Sequence, residues 1–206
     1  MNDLHIVETL YHMQIPTVTS QFGTDLYAIP DKTTWYMCSE YCRSTGFTYL
    51  MKLVLSVATY PQAMPIIKNN LSEINAVNDE GWTALHLACR NSNTASTIEC
   101  VKLLIDANAD VNIQNNNGWT ALQYASRYSS TTSNNDTVKA LIDANADVNI
   151  QTNNGWTALH YASHYSSTTS NNDTVKLLID ANADVNIQDN DEWTALHYAS
   201  RYSSIT

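Results

Sequence analysis

Trp82, Trp119, Trp156 and Trp193 stand 37 residues apart, and the text around each is nearly the same. Residues 116–152 and 153–189 differ only at Gln123/His160, Arg127/His164, Ala140/Leu177 and Thr152/Asp189. A fixed period of this length marks a solenoid, a propeller or another array. In such a chain each unit is too small to bury its apolar side alone, so the units must stack.

Two helices and a turn can be read within the unit. The spacing predicts a first helix from Thr157 to about Tyr165, with Leu159, Ala162 and Ser163 on its packed face. It predicts a second helix from about Asp173 to Asp180, where Val175, Leu178 and Ile179 repeat the same offsets. Asn172 or Ser170 is expected to cap that helix, and Asp173 to sit at the positive end of its dipole. Asn182 follows the last apolar turn, where a left-handed residue is expected. Asn117-Gly118 and Asn154-Gly155 are tight-turn dipeptides.

The segments DEGWTALHLA (79–88), NNGWTALQYA (116–125), NNGWTALHYA (153–162) and DEWTALHYA (191–199) resemble the ankyrin-repeat signature. VKLLIDANADVN (101–112 and 175–186) and VKALIDANADVN (138–149) resemble its second half. The likeness covers about residues 46–202 and implies an all-α solenoid of stacked helix-turn-helix units with hairpin-like connecting turns. Ala84, Ala121, Ala158 and Ala195 stand where the family has Pro, and Asn108, Asn145 and Asn182 where it usually has Gly. The unit is longer than the family's 33 or so residues. Alignment puts the excess between the helices, in Ser129–Asn135 and Ser166–Asn172, which read as a solvated, mobile turn. The near-identical, Asn-rich wording resembles ankyrin proteins of giant DNA viruses of amoebae, the mimivirus type.

The same alignment divides the chain. Residues 1–42 match nothing, 43–78 form a degenerate N-terminal unit, and 79–115, 116–152 and 153–189 are full repeats. Residues 190–206 form a half repeat. In the degenerate unit GFTYLMKLV (46–54) and MPIIKNNLSEIN (64–75) stand for the two halves, with Met51 in place of the His and Pro65 near a helix start. The apolar run Phe47 to Tyr60 reads as a buried helix, too short to span a bilayer. Glu192 replaces the turn Gly, which predicts a strained turn, and Leu196 and Ala199 are expected to lack a covering helix, so that this end frays or meets a partner.

Net charge of -10 argues against a nucleic-acid partner and favours a protein with a basic face. The start of the chain lacks the basic-then-apolar pattern of an export signal, and the cysteines Cys38, Cys42, Cys89 and Cys100 suggest no disulfide framework. An intracellular monomer is expected, in the cytoplasm of a host cell or its nucleus, with no membrane association and no cofactor.

No catalytic or metal site is expected. His86, His160 and His197 share their position with Gln123, so that side chain serves hydrogen bonding and not proton transfer. Cys38 and Cys42, with His5 and His12 upstream, lack the second ligand pair of a zinc site. Asp106, Asp110, Asp143, Asp147, Asp180 and Asp184 recur without the Gly and Glu of a calcium loop. What remains is binding. The resemblance implies contact through the hairpin tips, here Asp79, Glu80, Asn116, Asn117, Asn153, Asn154, Asn190 and Asp191. It also implies contact through the exposed end of the first helix, here Arg90, Arg127, Tyr128, His164, Tyr165, Arg201 and Tyr202. Trp82, Trp119, Trp156 and Trp193 either face a partner or pack along their own hairpins. A second arrangement is an adaptor in which residues 1–42 recruit another complex, such as a ubiquitin ligase.

Overall fold

The computed structural model describes residues 46–202. Those residues form helix pairs joined by turns and contain no strand. The first pair is α1 (Tyr49–Val54) and α2 (Ala63–Lys68), followed by a short 3-10 turn at Leu71–Glu73. Then come α3 (Ala84–Arg90) with α4 (Ile98–Asp106), α5 (Ala121–Arg127) with α6 (Asn135–Asp143), and α7 (Ala158–His164) with α8 (Asn172–Asp180). The last helix is α9 (Ala195–Tyr202). Two layers result. The first helices α1, α3, α5, α7 and α9 pack in file, and the second helices α4, α6 and α8 pack in file beside them. This is the expected all-α solenoid. No helix among the described residues is long and apolar enough to cross a membrane.

Local chemistry fixes each helix. Thr83, Thr120 and Thr157 cap α3, α5 and α7, each accepting the amide of the residue three places on, while that residue's side chain reaches back to the cap amide. Buried Ala and Leu fill the inner layer: Leu85, Leu122 and Leu159 are each no more than 3% exposed. Val101 and Leu104 of α4 and Val138 and Leu141 of α6 bury from the other side. Asn108, Asn145 and Asn182 end the second helices in the left-handed region, at φ 64°, 61° and 63°, as the sequence implies.

Three local expectations need correction. The cap of α8 is Asn171, whose side chain accepts the Thr174 amide at 2.9 Å. It is neither Asn172, which is already helical, nor Ser170, which is buried against Ser129 at 3.2 Å. The extra residues between the helices are not a loose turn. Ser129 and Ser133 are buried, the Ser130 amide donates to Thr169 at 3.1 Å, and the Thr169 hydroxyl donates to the Arg127 carbonyl at 2.8 Å. Small hydroxyl side chains satisfy one another here at close quarters, Thr174 to Ser129 and Thr137 to Ser92 both at 2.6 Å. The apolar run Phe47 to Tyr60 is helical only over Tyr49–Val54, because the Ser56 hydroxyl and amide take the Leu53 carbonyl and the chain turns.

The hairpin tips are locked to one another. Asn116 donates its amide to Glu80 O at 3.0 Å, Asn153 to Asn117 O at 3.1 Å, and Asn190 to Asn154 O at 3.2 Å. The close approach explains the turn glycines. A β-carbon at Gly118 would lie 2.7 Å from the Asn153 amide nitrogen, so nothing larger fits. Glu192 holds the same place in the last turn at φ 64°, and no following tip faces it among the described residues. Here the left-handed backbone is tolerated because there is room for the side chain. The last described helix also presents an apolar side chain: Leu196 is 72% exposed, whereas its counterparts in earlier units are buried.

Gly118→Ala is therefore expected to lower stability by more than about 2 kcal/mol, through clash and positive φ together. Glu192→Gly should change it by no more than about 1 kcal/mol, because relief of φ strain opposes the added chain entropy. Urea unfolding of both variants checks this; equal losses would contradict the packing of the tips.

Candidate protein-binding face

The tryptophans do form a single file, but it contains more than tryptophan. Tyr124, Tyr161 and Tyr198, each five residues after a Trp, insert between successive units. Tyr124 lies between Trp82 and Trp119, with ring centroids 4.4 and 4.5 Å away. Tyr161 lies between Trp119 and Trp156 at 4.1 and 4.8 Å, and Tyr198 between Trp156 and Trp193 at 4.5 and 5.1 Å. Such pairs contribute about 0.5–1.5 kcal/mol each beyond buried area. Trp82 is buried at 8% exposure, while Trp119, Trp156 and Trp193 are half-buried. Packing therefore dominates for Trp82, and the other three keep one edge on the surface. The sequence reading missed the three tyrosines, although their fixed offset from each Trp was a usable signal.

A second column runs beside the first. Arg90 lies 5.0 Å and Arg127 5.1 Å from the centre of the Tyr128 ring. Arg127 is also 4.4 Å from Tyr165. His164 continues the file between Tyr165 and Tyr202, at 4.4 and 4.2 Å. Arg201 ends it, 5.6 Å from Tyr202 and 5.3 Å from Trp193. Thus cation or imidazole alternates with tyrosine across the three junctions from α3 to α9. Tyr128, Tyr165, Arg127 and His164 are half-buried, and Arg201 and Tyr202 are exposed. The Arg127 Nε is buried without a hydrogen-bond acceptor, so ring faces are its main company. Burial, followed by the neighbouring Arg127 charge, lowers the pKa of His164, which leaves it neutral near pH 7.

The tips contribute unequally. Asn116 and Asn153 are exposed, yet their side-chain amides donate to Asp79 O and Asn116 O of the preceding tip at 2.8 and 3.0 Å. Asn190 does the same to Asn153 O at 3.1 Å. Asn154 accepts from the Thr152 hydroxyl. Glu80, Asn117 and Asp191 stand exposed beside them. The two columns touch, since Arg127 lies 5.6 Å from the Trp119 ring and Arg201 5.3 Å from the Trp193 ring.

The recurring histidines tie units together. The Thr83 amide and hydroxyl meet His86 Nδ1 at 3.1 and 2.8 Å, so the ring proton sits on Nε2, which donates to Trp119 O at 3.0 Å. Gln123 plays both parts in the next unit: its oxygen accepts the Thr120 amide at 2.7 Å and its nitrogen donates to Ile150 O and Trp156 O at 2.7 and 3.2 Å. His197 accepts the Thr194 amide but is exposed, at the open end. Asp110, Asp147 and Asp184 accept the amides of Asn112, Asn149 and Asn186, each at 2.9 Å, as turn carboxylates. Among the described residues no group of three or more His, Cys, Asp or Glu converges as a metal site. Cys89 and Cys100 are buried free thiols, and burial raises the pKa of both. Cys38, Cys42, His5 and His12, and the adaptor segment 1–42, lie outside the described residues.

Burial lowers the pKa of His86 to about 4, against hydrogen bonds to Trp119 and Ile113 that raise it. The unfolded chain then binds more protons than the folded one between about pH 6.5 and 4, so stability is full above that window and declines as pH falls through it. His86→Gln, which copies Gln123, should remove a decline on the order of 3 kcal/mol. Chemical denaturation at a series of pH values checks this. An unchanged pH profile would mean that His86 is not the buried neutral ring described.

The sequence pattern of ankyrin repeats, in three copies, matches residues 53–151 and 130–206. The chain is 37% identical over 86 residues to ankyrin repeat protein L289 of Acanthamoeba polyphaga mimivirus, a match covering 39% of this chain and 15% of the relative. It is 36% identical over 90 residues to ankyrin repeat protein L86 of the same virus, covering 39% of this chain and 16% of that one. A third relative, ankyrin repeat protein L91, is 36% identical over 84 residues, covering 36% and 13%. The chain thus spans no more than 16% of the length of these three relatives. With the pattern laid over most of the chain and its helix pairs stacked in two layers, the protein belongs to the ankyrin-repeat family, whose repeats generally serve as protein–protein interaction modules.

Proposed function

We propose that the chain is a scaffold that holds a protein partner through its hairpin tips and the face of its first helices, without catalysis. The observation that carries this is the pair of columns. They present half-exposed Trp119, Trp156 and Trp193 beside Arg127, Tyr128, His164 and Tyr165, in register across three junctions. Trp, Tyr and Arg are the side chains that dominate interaction hot spots. Their stacking orders them before any partner arrives, so binding loses little side-chain entropy. Glu80, Asn117 and Asp191 add polar contacts at the rim. The units divide at 79, 116, 153 and 190, so the face repeats once per unit.

Photo-crosslinking residues placed at Asn117 and Tyr128 should yield adducts with a partner in cells, whereas the same group at exposed Lys139 on α6 should not. Adducts from Lys139 with none from the other two would place the partner on the second helices and overturn the reading. Replacing Tyr128 and Tyr165 by Ala should weaken capture. Because both rings bridge cations of neighbouring units, it should also cost about 1 kcal/mol of stability per ring.

A further inference from the structure

We infer that the exposed face of α9 is a seat for a tyrosine side chain that a partner protein carries near the start of a helix. The inference rests on the scaffold reading for the existence of a partner and names one contact that partner makes.

Three filled seats of the same kind show what this one takes. Each is built by one unit and filled by a tyrosine of its neighbour. Trp82, His86 and Arg90 hold Tyr124 at 4.4, 6.1 and 5.8 Å. Trp119 and Arg127 hold Tyr161 at 4.1 and 6.0 Å. Trp156, His160 and His164 hold Tyr198 at 4.5, 6.0 and 5.4 Å. The seated tyrosines are buried, at 6, 4 and 7% exposure. A ring against indole, with imidazole or guanidinium beside it, is an arrangement that the aromatic quadrupole favours.

Trp193, His197 and Arg201 repeat this set, and among the described residues no ring occupies the corresponding place. With Leu196 and Ser200 they line a hollow of about 390 Å³. Pockets that hold small ligands begin at roughly 300 Å³, so one aromatic ring has room. Burial separates this seat from the others. His86, Gln123 and His160 are buried under their neighbours, whereas His197 is exposed, as is Leu196.

A donor fixes where the ring's backbone must lie. Nε2 of His86, Gln123 and His160 reaches the carbonyls of Trp119, Trp156 and Trp193 at 3.0, 3.2 and 3.1 Å. Each carbonyl stands five residues before the seated tyrosine and just ahead of its helix. His197 takes the Thr194 amide on Nδ1 at 3.0 Å, which leaves Nε2 as the donor. The occupant is therefore a helix start, with a carbonyl for His197 and a tyrosine about five residues on. The seat continues an interface that the molecule already forms at three junctions. A second copy is a poor source, because its Tyr124, Tyr161 and Tyr198 are already seated and its exposed Tyr202 ends a helix.

The test uses the full chain with isotope-labelled tryptophan and para-cresol, the tyrosine side chain alone. In NMR titration the Trp193 indole signal should shift, with Kd on the order of 1 mM for so small a ligand. Signals of Trp82, Trp119 and Trp156, whose seats are filled, should stay. The saturated analogue of para-cresol should bind about fivefold more weakly. Leu196→Glu should abolish the shift without lowering the melting temperature, and Tyr198→Ala, which empties the Trp156 seat, should add a shift there. No shift at Trp193, equal binding of the analogue, or indifference to Leu196→Glu would overturn the seat. A photo-crosslinking residue at Ser200 should form adducts in cells that map to a tyrosine-bearing helix start. Adducts that map to a second copy of this chain, or to a segment without tyrosine, would overturn the assignment of the occupant. The crosslinks from Asn117 and Tyr128 test the scaffold reading separately, so the two failures are distinguishable.

Discussion

Everything in this protein depends on the junction between one unit and the next. A helix pair of seven and nine residues, such as α5 and α6, is too short to be stable in water alone. The junctions from α3 to α9 therefore share most of one set of contacts. An Asn side chain holds the neighbouring loop, as Asn112 does for the Asp147 amide at 2.8 Å. A Gln spans two turns, as Gln114 does to Gly118 O and Gln151 O at 2.7 and 3.0 Å. The His or Gln of the first helix reaches the next hairpin, and a tyrosine fills the gap between two tryptophans. Polar residues that look like filler in the sequence are the fasteners of the array. This is why a chain so rich in Asn, Ser and Thr folds with its buried polar atoms mostly paired.

The contacts that hold the units together are also those that make the binding face. Arg127 orders Tyr128 and Tyr165, which in turn order His164, so the surface offered to a partner is built by the junctions themselves. Stability and recognition cannot be separated cleanly at these positions. The freer choices lie at the rim, where Glu80, Asn117 and Asp191 carry less of the stacking. At position 164 His replaces the Arg of the other units, which weakens the charge of the column at one step while keeping a flat ring in the file.

Much of the fold was legible because the period is covalent fact. The offsets of Leu159, Ala162 and Ser163 gave the first helix to within a residue at each end, and Asn182 gave its left-handed turn. The functional role of His86 was readable from Gln123 alone, since only hydrogen bonding is common to both side chains. What escaped was chemistry that needs a neighbouring unit to exist. Ser129 and Ser170 look solvated in one dimension and prove to be buried in a cluster with Thr174, because their partners lie about a whole unit away along the chain. The same holds for Tyr124, Tyr161 and Tyr198, whose ring partners belong to two units at once. Glu192 was expected to be strained, and it is left-handed; that its side chain stands exposed, with no tip facing it among the described residues, could be seen only in the structure.

The most direct test of stacking in single file is distance measurement by paired spin labels on the tips. Labels at Glu80 with Asn154, and at Glu80 with Asp191, should be separated by about 20 and about 30 Å, rising in equal steps set by helix packing. Distances that fail to grow with the number of units between the labels would contradict the account.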